Sequence, residues 1–484
     1  MANLWHWSLL CSKPKQVASE SVHGAQLALQ RLGRRRCESC DVEVGKACKC
    51  GDGEDGDGGR VAVAVVEAGN GEEGHSKPNS SFAHSVINMV GMLIGLGQLS
   101  TPYALENGGW ASVFLLIGLG VMCAYTAHII GKCLDEDSGS KTYQDIGERA
   151  FGAKGRAVAS AFIYLEIFFA LVSYTISLSD NLPLVFPGAR LSLHLPWLRL
   201  GTPQLLTAVA VLVALPSLWL RDLSSISFLS LAGIAMSLLI FGSVAVCATA
   251  SGAGGLMTGK QQQRIPALRP EMIPAVSGLY MFSYAGHIVF PNIHAAMRDP
   301  SGFTRVSVAS FAVVTALYAA LAFAGASLFG PAVSAQVTLS MPPGLAATRV
   351  ALWATVLTPL TKYALEFAPF AVQLQRHLPA AMGPRARLLV RGGVGSAALL
   401  AILALALSVP YFQHVLSLTG SLVSVAVCVV FPCAFYLKIC WSRVSRCTVT
   451  LNVAMMVAGV VLAVGGTISS AKSLVQSIQR GRAA

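Results

Sequence analysis

Backbone groups that glycine and proline release inside an apolar segment are the first candidates for chemistry in this sequence. Residues 87–105 read INMVGMLIGLGQLSTPYAL, in which Gly91, Gly95 and Gly97 precede Pro102. Each glycine weakens a helix by about 1 kcal/mol relative to alanine, and proline removes a donor and clashes with the preceding turn. An interrupted helix exposes N–H groups that attract a carboxylate and carbonyl groups that attract an ammonium. The segment is therefore suited to binding a zwitterion such as an amino acid.

A second apolar segment contains the same kind of interruption. Residues 283–294 read SYAGHIVFPNIH, in which Gly286 and Pro291 are the helix-breaking residues. The two interruptions lie five apolar segments apart and at matching depth, which is typical of transporters built from inverted repeats. Close helix packing is the alternative explanation for such glycines, and the spacing of Gly91 and Gly95 fits it.

Ionisable side chains inside apolar segments are the next candidates, because charge at bilayer depth is costly and by default indicates function. Glu166 is a candidate proton carrier, and a structural glutamate is the alternative. His287 is a second candidate proton carrier, and a neutral histidine that fixes the local backbone is its alternative. Lys362 and Glu366 are four residues apart on one predicted helix, so we expect them to pair. These segments contain no P-loop, metal-spaced set or nucleophile–base motif, so we expect no enzyme activity, cofactor or metal.

The composition assigns these segments to an integral membrane protein. Of the 484 residues, 54% are hydrophobic and 12% charged, and the mean hydropathy is +0.61, whereas soluble domains contain about 25% charged residues. Apolar stretches long enough to cross a bilayer occur at about 82–104, 111–131, 157–180, 203–219, 228–250, 273–295, 304–326, 345–366, 392–409, 413–437 and 449–470. We therefore predict an all-α membrane protein of about eleven spans, or ten if residues 410–412 form a kink within one helix.

The basic residues that give the chain its formal net charge of +12 are unevenly distributed among the connections between spans. If the N-terminus is cytoplasmic, fifteen Lys and Arg residues fall in the cytoplasmic connections, at 132–156, 221, 298–305, 376–391 and 438–446. Only five fall in the opposite connections, at 190–199 and 260–269. Because basic residues concentrate in cytoplasmic loops, we predict a cytoplasmic N-terminus, and the positive charge requires no nucleic acid partner.

The N-terminal part of the chain differs from the rest in composition. Residues 1–80 show no long helical periodicity and are rich in glycine and charged residues, so we predict a disordered cytoplasmic tail. The tail contains four closely spaced cysteines that are either free thiols or zinc ligands, namely Cys37, Cys40, Cys48 and Cys50. We place the transmembrane domain at 81–470 and a short C-terminal tail at 471–484.

Six motifs in order make the family of this sequence recognisable. They are GLGQLSTPYALENGGW (95–110), SDNLPLVFPG (179–188), LPSLWLRDLSSISFLS (215–230), SGLYMFSYAGHIVFPNIHAAM (277–297), QVTLSMP (336–342) and LTPLTKYALEFAP (357–369). With them the sequence resembles the amino acid/auxin permease family, and within it the plant vacuolar amino acid transporter branch of the AVT1 type. The resemblance covers residues 82–470 and excludes the N-terminal tail.

The resemblance implies a LeuT-like core of five plus five inverted spans with one extra C-terminal helix. It implies proton-coupled amino acid transport, with substrate bound where the first and sixth spans are broken. The contacts that it implies are Gly91, Met92, Leu93, Ile94, Gly95, Leu96, Gly97, Tyr284, Gly286 and His287. Family members usually have an asparagine at the position of Gly91 and commonly a glutamate at that of Ser173, so the coupling ion is open.

Function hypotheses of two classes follow. A secondary transporter working by alternating access would have an amino acid, protons and the lipid bilayer as partners, and the resemblance favours the vacuolar over the plasma membrane. A sodium-coupled symporter is the alternative within this class. A sensor that binds an amino acid with little flux is the alternative outside it.

Overall fold

The computed structural model describes residues 80–136, 139–195, 198–214, 224–254, 265–377 and 382–483. The N-terminal tail, with its predicted disorder and its cluster of cysteines, lies outside these residues. The contacts described below all fall within one compact unit, in residues 80–444 and 449–483.

Helices account for nearly all of the described chain, because an apolar segment in a bilayer must satisfy its own backbone groups. In chain order they are α1 (Phe82–Leu93), α2 (Thr101–Gly108), α3 (Ser112–Asp135), α4 (Tyr143–Val185), α5 (Thr202–Ala214), α6 (Ser224–Gly254), α7 (Ile273–Ser283), α8 (Phe290–Ala296), α9 (Phe303–Phe329), α10 (Ala346–His377), α11 (Pro384–Ser408), α12 (Phe412–Thr419), α13 (Phe431–Ile439) and α14 (Arg446–Ala483). Two short strands, β1 (Leu193–Leu195) and β2 (Leu198–Leu200), pair in antiparallel fashion between α4 and α5.

The number of spans is close to the predicted one. Among the described residues, eight helical segments are long and apolar enough to cross a membrane, and nine when one bent pair counts as a span. Helices α5 and α10 coincide with the predicted fourth and eighth spans without meeting that criterion, so the count of eleven stays a prediction. Arg385–Ser408 and Phe412–Ile439 are separate spans, which favours two helices over a kink at 410–412.

Two helices extend beyond the apolar stretches predicted for them. Helix α4 has non-helical backbone at Phe151 and Gly152, where Gly152 has a φ of 65°, so a short amphipathic turn precedes its spanning part. Helix α14 continues to Ala483, and residues 471–483, predicted as a tail, are therefore helical.

The start of the first interrupted span lies against the end of the sixth. The Ser80 N–H donates to the Ala296 carbonyl at 3.0 Å, and the Arg298 N–H donates to the Ser80 carbonyl at 3.0 Å. The start of the first span is thus hydrogen-bonded to the end of the sixth. This arrangement is the one expected of inverted repeats.

Candidate functional site

The first interruption lies between α1 and the short 3-10 helix Leu96–Ser100 that leads into α2. Ile94 turns to extended backbone with φ −74° and ψ 107°, and Gly95 follows with φ −143° and ψ −154°. The two halves, Phe82–Leu93 and Leu96–Gly108, meet at 55°. The glycine-rich stretch therefore ends one helix and starts another inside a single span.

The second interruption lies between α7 and α8. Helix α7 ends at Ser283, and a 3-10 turn, His287–Val289, precedes α8. Pro291 stands in the first turn of α8, where the missing N–H would have no partner in the helix. The interruption predicted for the sixth span is therefore a non-helical linker of Tyr284, Ala285 and Gly286.

The two interruptions are packed directly against each other. A Cβ atom built on Gly97 would lie 2.5 Å from the Ser283 Oγ and 2.6 Å from the Ser283 Cα. A Cβ atom on Gly286 would lie 3.1 Å from the Leu93 Cδ2. No side chain fits at Gly97 without separating the two broken spans.

One tyrosine hydroxyl joins the ends of both half-helices. Tyr318 of α9 donates to the carbonyl of Leu93, the last residue of α1, at 2.7 Å. The same hydroxyl lies 3.0 Å from the carbonyl of Ser283, the last residue of α7. Because a hydroxyl has one hydrogen, the two carbonyls share it. Two carbonyls released by the interruptions are therefore satisfied by protein.

A cavity opens where the interruptions meet. It lies between both interrupted spans and the helices α4 and α10. Its lining residues are Met92, Leu93, Gly95, Leu96, Gly97, Glu166, Ile167, Ala170, Tyr174, Phe282, Ser283, Ala285, Gly286, Ile288, Val289, Lys362 and Glu366. The lining is mostly apolar, with a few polar groups among it, which is the usual composition of a small-molecule site.

Lys362 brings a positive group to the first interruption. Its side chain is buried, and its Nζ donates to the Ile94 carbonyl at 3.1 Å. Glu366, the predicted partner of Lys362, lines the same cavity, but this hydrogen bond goes to the backbone of the first span. The lysine therefore links α10 to the break in the first span.

Glu166 of α4 brings a buried carboxyl group to the same cavity. The residue is 5% exposed, and neither carboxyl oxygen has a hydrogen-bond partner within normal distance and angle among the described residues. The Ser424 hydroxyl lies close to the carboxyl group and is placed to donate to it. A buried carboxylate with so few donors is strongly unfavourable. The carboxyl group is therefore stabilised by a proton or by a hydrogen bond from Ser424 or from a molecule that enters the cavity.

The structure brings six of the ten predicted substrate contacts to the cavity. These are Met92, Leu93, Gly95, Leu96, Gly97 and Gly286. Gly91 instead packs on α6, where a Cβ atom would lie 2.3 Å from the Ile234 Cδ1. Ile94 borders a smaller neighbouring cavity. A side chain at Gly91 would therefore require the Ile234 side chain to move.

The two predicted polar contacts of the sixth span point away from the cavity. The Tyr284 hydroxyl lies 2.9 Å from the Thr315 Oγ1 on α9. The His287 Nε2 lies 2.9 Å from the Thr126 Oγ1 and 3.2 Å from the Cys123 carbonyl on α3. Both side chains hold the second interruption to its neighbouring helices.

Sequence reasoning did not single out several residues that build the site. Tyr174 and Ser283 line the cavity, and Tyr318 supports it from α9. Tyr318 stands in an ordinary apolar span, and no local signal distinguishes it. Lys362 was recognisable as a charge within a span, although its contact with Ile94 was not. The described residues contain no group of three or more His, Cys, Asp or Glu that could hold a metal ion.

Comparison with known proteins agrees with these observations. Residues 78–471 match the family described as transmembrane amino acid transporter protein. The chain is 56% identical over 445 residues to amino acid transporter AVT1H of Arabidopsis thaliana, covering 92% of this chain and 99% of that one. It is 37% identical over 400 residues to amino acid transporter AVT1B of the same plant, covering 83% and 72%.

A solved structure shares the fold. The crystal structure of MhsT in complex with L-phenylalanine superposes with a TM-score of 0.51 at 14% identity, covering 82% of this chain and 97% of that one. The predicted fold class, an all-helical membrane protein with a LeuT-like core, is confirmed.

Proposed function

Because the chain belongs to the transmembrane amino acid transporter family, we propose that it is a proton-coupled amino acid transporter whose substrate binds between the broken first and sixth spans. The observation that supports the proposal most directly is the cavity at which both interruptions meet. Its mostly apolar lining with a few polar groups is the usual composition of a small-molecule site.

The backbone of the first interruption would bind the substrate carboxylate. Leu96 and Gly97 are the first residues of the second half-helix, so their N–H groups have no partner within it. A helix N-terminus attracts negative charge. The apolar lining, including Ile167, Ala170 and Phe282, would receive the substrate side chain. We therefore propose that the substrate is bound mainly by the backbone of the first interruption.

Glu166 would hold the coupling proton. Its carboxyl group is buried, faces the cavity and has no hydrogen-bond partner within normal distance and angle among the described residues. Protonation removes the cost of an unpaired buried charge. A proton at Glu166 and a substrate beside it would together favour closure around the cavity, after which the inverted repeats rock to open the other side.

The apolar spans and the basic cytoplasmic connections support a multi-pass protein with a cytoplasmic N-terminus, which we place in the vacuolar membrane.

Uptake of labelled amino acids into proteoliposomes tests the proposal. We expect accumulation when the pH gradient is imposed, a loss of accumulation when the gradient is collapsed, and no change when choline replaces sodium at fixed pH. Binding without flux would instead favour a sensor. Accumulation that requires sodium would favour a sodium-coupled symporter.

The role of Glu166 has its own test. In Glu166→Gln the side chain cannot release a proton, so we expect gradient-driven accumulation to be lost while exchange of internal for external substrate continues. Glu366→Gln is the matched control, because Glu366 is a second carboxyl group in the same cavity. If Glu166→Gln accumulates substrate as the unmodified protein does, Glu166 is not the proton site.

A further inference from the structure

We propose that the Lys362 ammonium is a tethered cation at the break of the first span, occupying the position where a free inorganic cation would otherwise bind. The inference rests on the proposed function, since it names the group that makes transport independent of sodium and potassium. It assigns a role to the one lysine in the cavity lining.

The place that the ammonium occupies is electrically negative. Its Nζ lies 3.1 Å from the Ile94 carbonyl, and Ile94 is the residue that terminates α1. The C-terminus of a helix has a partial negative charge equivalent to roughly half an elementary charge. In transporters with broken helices, such ends and the unwound carbonyls beside them coordinate coupling cations. A lysine there satisfies the helix end without an ion.

Three spans enclose the lysine side chain. A Cβ atom on Gly95 of the first span would lie 3.5 Å from the Lys362 Nζ, and one on Gly233 of α6 would lie 3.4 Å from the Lys362 Cε. Lys362 itself comes from α10. Gly95 and Gly233 thus face the lysine chain from two of the three sides. The ammonium is therefore enclosed between the three spans and does not lie on an open wall of the cavity.

A carboxyl group in the same cavity balances the fixed positive charge. Glu366 lines the cavity together with Lys362 and is four residues from it in α10. An isolated buried ammonium is costly, and the Ile94 carbonyl accepts only one of its three hydrogens. Replacing the lysine by alanine leaves a negative helix end facing the space of three methylene groups and the ammonium. A small cation added from solution would then fill it.

The experiment compares two variants that differ in space. Lys362→Ala removes the charge and opens the position, whereas Lys362→Met removes the charge and fills the position with a chain of similar length. Uptake and thermal unfolding are measured in choline chloride, sodium chloride and methylammonium chloride at one pH and ionic strength. Lys438→Ala, which removes an exposed lysine at the end of α13, is the matched control.

We expect Lys362→Ala to lose at least about tenfold in uptake in choline chloride, as for a lost hydrogen bond to a charged group. Sodium or methylammonium should restore most of this loss and raise the unfolding temperature of Lys362→Ala. For Lys362→Met, Lys438→Ala and the unmodified protein, we expect the same uptake and unfolding temperature in sodium or methylammonium chloride as in choline chloride.

Two results would overturn the inference. The first is full uptake by either Lys362 variant in choline chloride. The second is a folded Lys362→Ala protein whose unfolding temperature is the same in all three salts. The unfolding measurement does not depend on flux, so absence of amino acid uptake by the unmodified protein would refute the proposed function and leave the test of Lys362 intact.

Discussion

The two interrupted spans have the same sequence signature but present different groups to the cavity. At the first interruption the backbone of Gly95 and Leu96 faces the cavity, and the adjacent Ile94 carbonyl meets a lysine ammonium. At the second, the polar side chains of Tyr284 and His287 turn outward to α9 and α3. Both interruptions line the cavity, but the first is held through its backbone carbonyls and the second also through its side chains.

The difference indicates a division of labour between matching halves. The Tyr284 hydroxyl also contacts the Leu116 carbonyl of α3 at 3.2 Å, so the linker of the sixth span is held to two helices. The linker of the sixth span is thus fixed by side-chain hydrogen bonds, whereas the described hydrogen bonds at the first interruption end on backbone carbonyls. Inverted repeats therefore need not contribute equally to the site that they form.

The largest expected effect comes from the glycine at which the two interruptions touch. Gly97→Ala would place a Cβ atom 2.6 Å from the Ser283 Cα, so the backbones must separate. Overpacking of this kind costs about 1–3 kcal/mol, and we expect uptake to fall by about tenfold or more. Uptake by purified protein in proteoliposomes, together with its unfolding temperature, measures both consequences.

Two glycine variants serve as controls for this prediction. Gly95→Ala places its Cβ atom at an ordinary 3.5 Å from the nearest atom, and Gly118→Ala on α3 meets nothing within 4 Å. We expect both to keep most of the uptake. Equal loss in Gly97→Ala and Gly118→Ala would mean that the contact between the interruptions is not needed.

We expect an intermediate effect on uptake from removing the Tyr318 hydroxyl, which hydrogen-bonds to both interruptions. Tyr318→Phe removes only the oxygen that joins the carbonyls of Leu93 and Ser283. Leaving buried carbonyls without a donor costs about 1–3 kcal/mol. We expect a lower unfolding temperature and uptake reduced by several-fold, because both half-helix ends lose their partner at once.

Tyr143→Phe is the matched control for Tyr318→Phe. Tyr143 is also buried and donates to a backbone carbonyl at 2.6 Å, but that carbonyl belongs to Val427, which lies in neither interruption. A similar loss of stability with less loss of uptake is expected. If the two variants lose uptake equally for equal destabilisation, the link between the interruptions has no special role in transport.

The sequence predicted the helices and their interruptions well because these depend on local properties. Apolar length predicts spans, and glycine with proline predicts the interruption that the structure shows as a 55° bend. The backbone of Gly95, Leu96 and Gly97 was placed at the site for the same local reason, and the structure brings all three to the cavity.

The sequence could not predict which way the side chains beside an interruption point. Each helical residue rotates the side-chain direction by about 100°, so a short 3-10 turn decides whether His287 faces the cavity or α3. The second contact of Lys362 could not be predicted either. Its spacing predicted an interaction with Glu366, and the two charges do interact. Its hydrogen bond to Ile94, 268 residues away in the chain, has no local signal in the sequence.

The smallest effect is expected at His287, and it separates support from proton transfer. The Nε2 must bear the hydrogen because the Cys123 carbonyl can only accept, and the Nδ1 has no partner among the described residues. A second proton would create a buried donor without an acceptor, so this geometry favours a neutral histidine that fixes the backbone. His287→Gln keeps an N–H near the Nε2 position, and we expect a stability loss of about 1 kcal/mol with an unchanged pH profile of uptake. If the pH profile of uptake shifts in His287→Gln but not in Glu166→Gln, the coupling proton binds at His287 and not at Glu166.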